Sequence, residues 1–262
     1  MIEAGRKPVA QANWKMAMTV AESLGFVAAL QRLAGDLLDR VDVILCPPFT
    51  ALWPLRQALA DRRIQLGAQN LAASADPAHT GQISAALLAD AGCAWAMLGH
   101  WEIRRHLGDD DAVVNRKLHL ALAAGLKPIV LVGEAGDEPA PLTQALARQL
   151  TRVLEGCQPA QVASMILEYE PEGAIGLAAP ISPDHAAAGC EFIRGWLRAR
   201  WGGNVAGRVR IIYGGSVAPE HVSALMACPD IDGLAATRRG RDASTFAQII
   251  RWVAQARPGA PA

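Results

Sequence analysis

The stretch Val209-Arg210-Ile211-Ile212-Tyr213-Gly214-Gly215-Ser216 runs a short, mostly apolar segment into two glycines and a serine. Little apolar-to-polar alternation within the run marks a strand covered on both faces, and the glycines break it into a tight loop. Val41-Asp42-Val43-Ile44-Leu45-Cys46, Pro128-Ile129-Val130-Leu131-Val132 and Met165-Ile166-Leu167 have the same character. Followed outward, the pattern places strands near 8–13, 41–46, 64–68, 95–99, 128–132, 165–169, 209–213 and 232–236, each with a helix-like segment after it. Eight βα units in 262 residues predict an α/β fold, a single-domain (β/α)8 barrel over residues 1–256, with a disordered tail at 257–262. An open doubly wound sheet is the alternative, but the first βα turn, Asn13-Trp14-Lys15-Met16, lacks the glycine-rich loop such a sheet uses for a nucleotide.

The helices carry their own signals. Leu142, Leu146, Leu150 and Leu154 recur at the spacing of one helix face, Ser84 stands where it can cap a helix that Gly92 ends, and Ser182-Pro183-Asp184 reads as cap, first-turn proline and early carboxylate. Twenty-five basic and 25 acidic side chains leave no net charge, so nothing favours a nucleic acid or an anionic membrane as partner. Cys46, Cys93, Cys157, Cys190 and Cys228 are odd in number and scattered, which fits buried thiols in a reducing cytoplasm better than disulfides or a zinc site. No apolar run approaches the ~20 residues that span a bilayer, and the amino terminus enters a strand without a signal-peptide core. A soluble, cytoplasmic protein is expected.

Chemistry gathers at the ends of the predicted strands. Asn13-Trp14-Lys15, Gly99-His100-Trp101-Glu102, Tyr169-Glu170-Pro171 and Tyr213-Gly214-Gly215-Ser216 each follow one. A lysine, a histidine and a glutamate at the carboxyl ends of different parallel strands can be aimed at one point as cation, neutral electrophile and base, the set that moves a proton next to a carbonyl. Each has an ordinary alternative: a surface lysine, a core histidine, a solvated loop carboxylate. Gly214, Gly215 and Ser216 suit an anion, because glycines let a ligand approach the backbone and successive amides form a nest; a plain tight turn is the other reading. Side-chain clusters at metal-ligand spacing are absent from the sequence, and no cofactor is expected.

These motifs, in this order, make the chain resemble the triosephosphate isomerase family from about residue 8 to residue 254. Gln69-Asn70 followed by Thr80-Gly81-Gln82-Ile83-Ser84 is similar to the family's third, dimer-forming loop, Gly133-Glu134 to its fifth-strand motif, and Ala174-Ile175-Gly176 to its lid. The resemblance implies a (β/α)8 TIM barrel and an isomerase that takes a small phosphorylated ketose to the aldose through an enediolate. It implies catalytic roles for Glu170 as base, His100 as electrophile, Lys15 as stabilising cation and Asn13 as orienting group. It also implies phosphate contacts from Gly176, Gly214, Gly215 and Ser216, a homodimer made through residues 71–82 with Thr80 near the neighbour's site, and no cofactor or metal. Glu102 is expected to pair with Lys15 or Arg104, or to make a purely structural salt bridge.

Departures from the family pattern are also legible. The lid reads Pro171-Glu172-Gly173-Ala174-Ile175-Gly176-Leu177-Ala178-Ala179, with a glycine where the family has a hinge tryptophan and an apolar tip. Glu172 is expected to add negative charge beside the base, and Gly173 to make closure costlier in entropy. Trp101 replaces a serine and Ile103 an arginine, losing a small polar neighbour of the base. Thr237-Arg238 replaces a glycine pair on the eighth strand, where Arg238 is expected to grip the phosphate by charge. Three readings follow: interconversion of dihydroxyacetone phosphate and glyceraldehyde 3-phosphate; a paralogue acting on a four-carbon tetrulose phosphate; and a catalytically weak barrel with a binding role.

Overall fold

A computed structural model describes residues 6–59, 63–137, 140–176 and 181–257. Eight parallel strands lie among them: β1 (Val9–Asn13), β2 (Asp42–Cys46), β3 (Ile64–Ala68), β4 (Trp95–Leu98), β5 (Lys127–Val132), β6 (Ile166–Tyr169), β7 (Arg210–Tyr213) and β8 (Gly233–Ala236). Each pairs with the next in sequence, and β8 closes on β1 through Val9 opposite Gly233 and Ala12 opposite Ala236. Every strand foreseen from the sequence is present within a residue or two of its expected bounds, and the open-sheet alternative is excluded by this closure.

Period-two geometry divides the side chains of each strand between two compartments. Val9, Ile44, Cys46, Met97, Ile129, Ile166, Ile212 and Ala235 point inward and pack the barrel. Ala10, Val43, Leu45, Val130, Leu167, Tyr169, Ile211 and Leu234 point outward against the helices. Two-sided burial is why these strands read as unbroken apolar runs.

Local signals set the helix ends. Thr19 opens the helix Val20–Ala34 with a capping box, Ser84 accepts from Leu87 N at 3.2 Å and Ser182 from His185 N at 3.2 Å. On the helix Leu142–Val153, Leu146 and Leu150 are buried, as is Leu154 at its end, and Leu142 is half-buried. Trp14, fully buried just past β1, stacks edge-on against Phe26 at 4.8 Å and donates to the Gly240 carbonyl at 2.8 Å. It fixes the first βα loop to the eighth, which sets where Lys15 stands.

The disordered tail expected from 257 needs one correction. Arg257 is held, donating to the Met226 and Cys228 carbonyls at 2.8 Å and to that of Ile231 at 2.9 Å; a guanidinium satisfies several chain-end carbonyls at once. Residues 258–262 lie outside the described residues. All five cysteines are free, Cys228 half-buried and the other four buried. No helix of the described residues is long and apolar enough to cross a membrane.

Candidate active site

Lys15, His100 and Glu170 follow β1, β4 and β6 and converge at the carboxyl end of the barrel, where the loops of this architecture carry their chemistry. Among the described residues, Lys15 is one of two non-glycine residues with positive φ, at 51°. That conformation is strained for a side-chain-bearing residue and persists only when its surroundings over-determine it. Here they do: Asn13 Oδ1 accepts the Lys15 N–H at 2.9 Å, Gln69 donates to the Lys15 carbonyl at 2.9 Å, and Lys15 Nζ meets Glu102 Oε1 at 2.6 Å. Asn13 thus orients Lys15 itself, and Lys15 rather than Arg104 is the partner of Glu102. Arg104 turns instead to the Gly99 carbonyl and Asp111, at 2.8 and 2.7 Å.

His100 caps the helix Trp101–Leu107, its Nδ1 accepting the Glu102 N–H at 3.1 Å. An accepting Nδ1 carries no proton, so the neutral ring bears its proton on Nε2. Nε2 faces Glu170 Oε1 at 3.3 Å. Burial, then the Lys15 charge, lowers the His100 pKa to about 4, so the imidazole is neutral at physiological pH. Glu170 is pushed the other way: burial, then the negative charge of Glu168, raises its carboxyl well above the ordinary range, with Lys15 opposing. Burial also acts to raise Glu102, but the Lys15 hydrogen bond and neighbouring cations bring it below its usual value. His100 Nε2 and Glu170 Oε2 are both buried without a hydrogen-bond partner. Buried polar atoms are almost always satisfied, so two orphans side by side mark the place of a polar ligand.

The backbone of Glu170 is clamped on two sides. Its N–H donates to the Val132 carbonyl at 2.9 Å, and its carbonyl accepts from Trp101 Nε1 at 2.9 Å. Gly133 leaves the room this needs, since a Cβ there would stand 2.1 Å from the Glu170 oxygen. The loss expected from a tryptophan at 101 is therefore a replacement: the indole N–H holds Glu170 through its main chain.

Charge beside the base from Glu172 is likewise corrected. Arg105 donates to both carboxylate oxygens of Glu172, at 2.7 and 2.6 Å, and the Gly136 N–H adds a third bond at 2.7 Å. The Arg105 guanidinium holds that carboxyl below its usual pKa, and the pair anchors the turn Glu172–Ala174. A forked arginine has taken the place of a packed hinge side chain. Arg105→Ala frees that turn, and the expected result is faster amide exchange at 172–174 with global stability little changed, because exposed ion pairs contribute little to folding.

Gly214 and Gly215 are buried at the end of β7, and Ser216 donates to the Ala174 carbonyl of the lid segment at 3.2 Å. Gly176, Ser216, Thr237 and Arg238 share a cavity of about 70 Å³, and Arg238 Nη2 lies 3.4 Å from the Gly176 carbonyl. Of the phosphate candidates, Gly176, Ser216 and Arg238 are thus brought together, while Gly214 and Gly215 do not line this cavity. Of the segment 171–179 expected to form a lid, residues 177–179 lie outside the described residues. Thr80 is exposed on the 71–82 loop. Among the described residues no group of three or more His, Cys, Asp or Glu side chains is disposed to hold a metal ion.

Sequence reasoning missed Trp101 and Arg105 as parts of the site. It also missed Gln11 and Glu168, polar residues inside strands whose inward neighbours are apolar; that break in pattern was the available signal.

A family model described as triosephosphate isomerase matches residues 8–253. Curated relatives named triosephosphate isomerase include one from Symbiobacterium thermophilum, 43% identical over 96% of this chain and 99% of its own. Others come from Chloroflexus aurantiacus, 42% identical over 94% and 99%, and Carboxydothermus hydrogenoformans, 40% identical over 94% and 98% of the two chains.

Proposed function

We infer from the geometry that this chain, which belongs to the triosephosphate isomerase family, interconverts dihydroxyacetone phosphate and glyceraldehyde 3-phosphate. The observation that carries the reading is the pair of orphaned atoms, His100 Nε2 and Glu170 Oε2, buried beside each other with Lys15 near both.

Glu170 removes a proton from the carbon next to the substrate carbonyl. A carboxylate stripped of water is a stronger base than one in solution, which is what burial gives it. As the carbonyl oxygen takes on negative charge, His100 offers it the Nε2 proton, while Lys15 stabilises the enediolate and the phosphate. A neutral imidazole is the role this family gives its histidine, and the helix-capping bond at Nδ1 and the adjacent Lys15 favour it here. Glu170 returns its proton to the neighbouring carbon while His100 Nε2 takes back the proton of the other hydroxyl, whose oxygen becomes the new carbonyl, so both side chains end as they began. Gly176, Gly214, Gly215, Ser216 and Arg238 hold the phosphate, and the lid keeps water from an intermediate that would otherwise lose it.

The direct test is to run the chain with dihydroxyacetone phosphate in deuterium oxide. Carbon-bound deuterium in the glyceraldehyde 3-phosphate formed is the expected outcome. Conversion of four-carbon ketose phosphates at higher kcat/KM than the triose would overturn the substrate assignment.

The unit 1–256 acts as one domain in a cytoplasmic homodimer, joined through residues 71–82 with Thr80 reaching the neighbour's Asn13 and Lys15. What supports this is the exposed stretch 75–81 of that loop and a wholly exposed Met16, an apolar side chain next to Lys15 with no cover from its own chain. Sedimentation at micromolar concentration should give twice the chain mass, and deletion within 75–79 should yield monomers of reduced activity. A fully active monomer would refute the arrangement.

A further inference from the structure

Beneath the site, two polar side chains meet inside the barrel. Gln11 on β1 and Glu168 on β6 are 0% and 2% exposed, and Gln11 Nε2 donates to Glu168 Oε2 at 3.1 Å while lying 3.4 Å from Met97 Sδ. The other end of the amide, Gln11 Oε1, has no partner. Glu168 precedes Glu170 by two residues and shares its face of the strand. Its carboxyl also lies directly under the loop after β7: a Cβ on Gly214 would come 2.1 Å from Glu168 Oε1 and 2.8 Å from Cγ and Cδ. One carboxyl group therefore forms the floor below Gly214 and stands behind the base.

We propose that Glu168 is a positioning residue that supports the Gly214–Ser216 loop as a neutral carboxylic acid, and that its ionisation in alkali weakens the grip of that loop on phosphate. The inference rests on the reading of Gly214–Ser216 as the phosphate site.

The surroundings say why the acid is neutral. A buried carboxylate needs a cation or several donors, and the single amide N–H of Gln11 offers neither. Its register neighbours are Leu131 on β5 and Ile212 on β7, and Gly214 lies just past β7; none of these titrates. Three groups that do titrate act on it or are acted on by it. Cys46 on β2 is a thiol raised by burial and then by Glu168, so it stays uncharged. Lys15 favours ionisation of Glu168 from beyond β1, and a charge on Glu168 acts against one on Glu170. Burial outweighs the help from Gln11 and Lys15 and raises Glu168 to about 8. Below that pH the proton stays on Glu168. Above it, an anion forms under the loop that receives the phosphate dianion, and in a dry site that repulsion is large.

Inorganic sulfate is the probe, because it stays a dianion throughout the range and reports only the protein's titration. Its affinity, measured by NMR titration of the Gly214–Ser216 amides, should fall about tenfold between about pH 7 and about pH 9.5 in the unaltered chain and less than about twofold in Glu168→Gln. The glutamine keeps the volume and the bond to Gln11 but cannot ionise, so a merely structural role would leave the two pH profiles alike. Equal losses in both overturn the proposal. Should Glu168→Gln not fold, the carbon-13 resonance of the Glu168 carboxyl in the unaltered chain decides: titration near 8 supports the proposal, and a carboxylate already ionised at pH 6 sinks it. A chain that shows the sulfate profile yet leaves triose phosphates unchanged would overturn the functional reading and uphold this one.

Discussion

Glu170→Gln should lower kcat for isomerisation of glyceraldehyde 3-phosphate by about 10²–10⁴-fold while leaving substrate affinity within a few-fold, since a general base acts on the barrier. Glutamine fills the same space and leaves the main-chain bonds to Val132 and Trp101 in place, so the fold should survive. It also removes the anion that stands 3.3 Å from His100 Nε2, which tests a second point. Deuterium exchange at the substrate carbon should vanish with turnover, because both need the same proton acceptor. Turnover within tenfold of the unaltered chain would remove Glu170 as the base. In the unaltered chain, kcat/KM should fall as acid protonates Glu170, and the fall should begin at higher pH than an ordinary glutamate would give, because burial has raised its carboxyl.

Lys15→Met should be nearly as severe, at about 10²–10³-fold in kcat/KM, the scale on which a preorganised charge stabilises a developing anion. Several effects coincide at this one cation. Without it, Glu102 loses its 2.6 Å partner, and the charge that opposes the rise in Glu170 is gone. The acid limb of the pH profile should therefore move to still higher pH, a displacement that loss of substrate attraction alone does not produce. His100, freed from a neighbouring positive charge, should titrate higher than before. Methionine keeps the length of the stem, and left-handed backbone at 15 is as strained for methionine as for lysine, so misfolding is not the expected cause. An unmoved acid limb would show that Lys15 serves the phosphate and not the base.

The barrel was legible because strands buried on both faces leave an unbroken apolar signature, and every one of the eight carries it or a nearby turn. His100, Glu170 and Lys15 were legible because strand ends are where this architecture places its chemistry. The supporting contacts were not. Nothing in the string Gly99-His100-Trp101-Glu102 says that an indole will reach across from β4 to the carbonyl of the residue after β6. Arg105 and Glu172 are 67 positions apart, and only the adjacency of β4, β5 and β6 brings them together. For the same reason Glu172 was misjudged as charge added to the base: sequence gives the side chain, but its direction depends on a partner two strands away. Gln11 and Glu168 were visible as polar residues at inward positions, yet only barrel closure turns two remote interruptions into one contact.

The bond from Trp101 Nε1 to the Glu170 carbonyl has an optical consequence. Trp14 and Trp95 are buried, Trp53 and Trp252 are exposed, and Trp196 and Trp201 stack edge-on against each other at 5.4 Å. Trp101 is half-buried, hydrogen-bonded to the main chain of the base and overlain by the guanidinium groups of Arg104 and Arg105 at 5.6 and 5.5 Å. Any movement of the base or of the arginine that anchors the lid changes the polarity and quenching that this indole experiences. The chain thus carries a native fluorophore on the main chain of Glu170, and rapid-mixing fluorescence can follow that residue into position without a label.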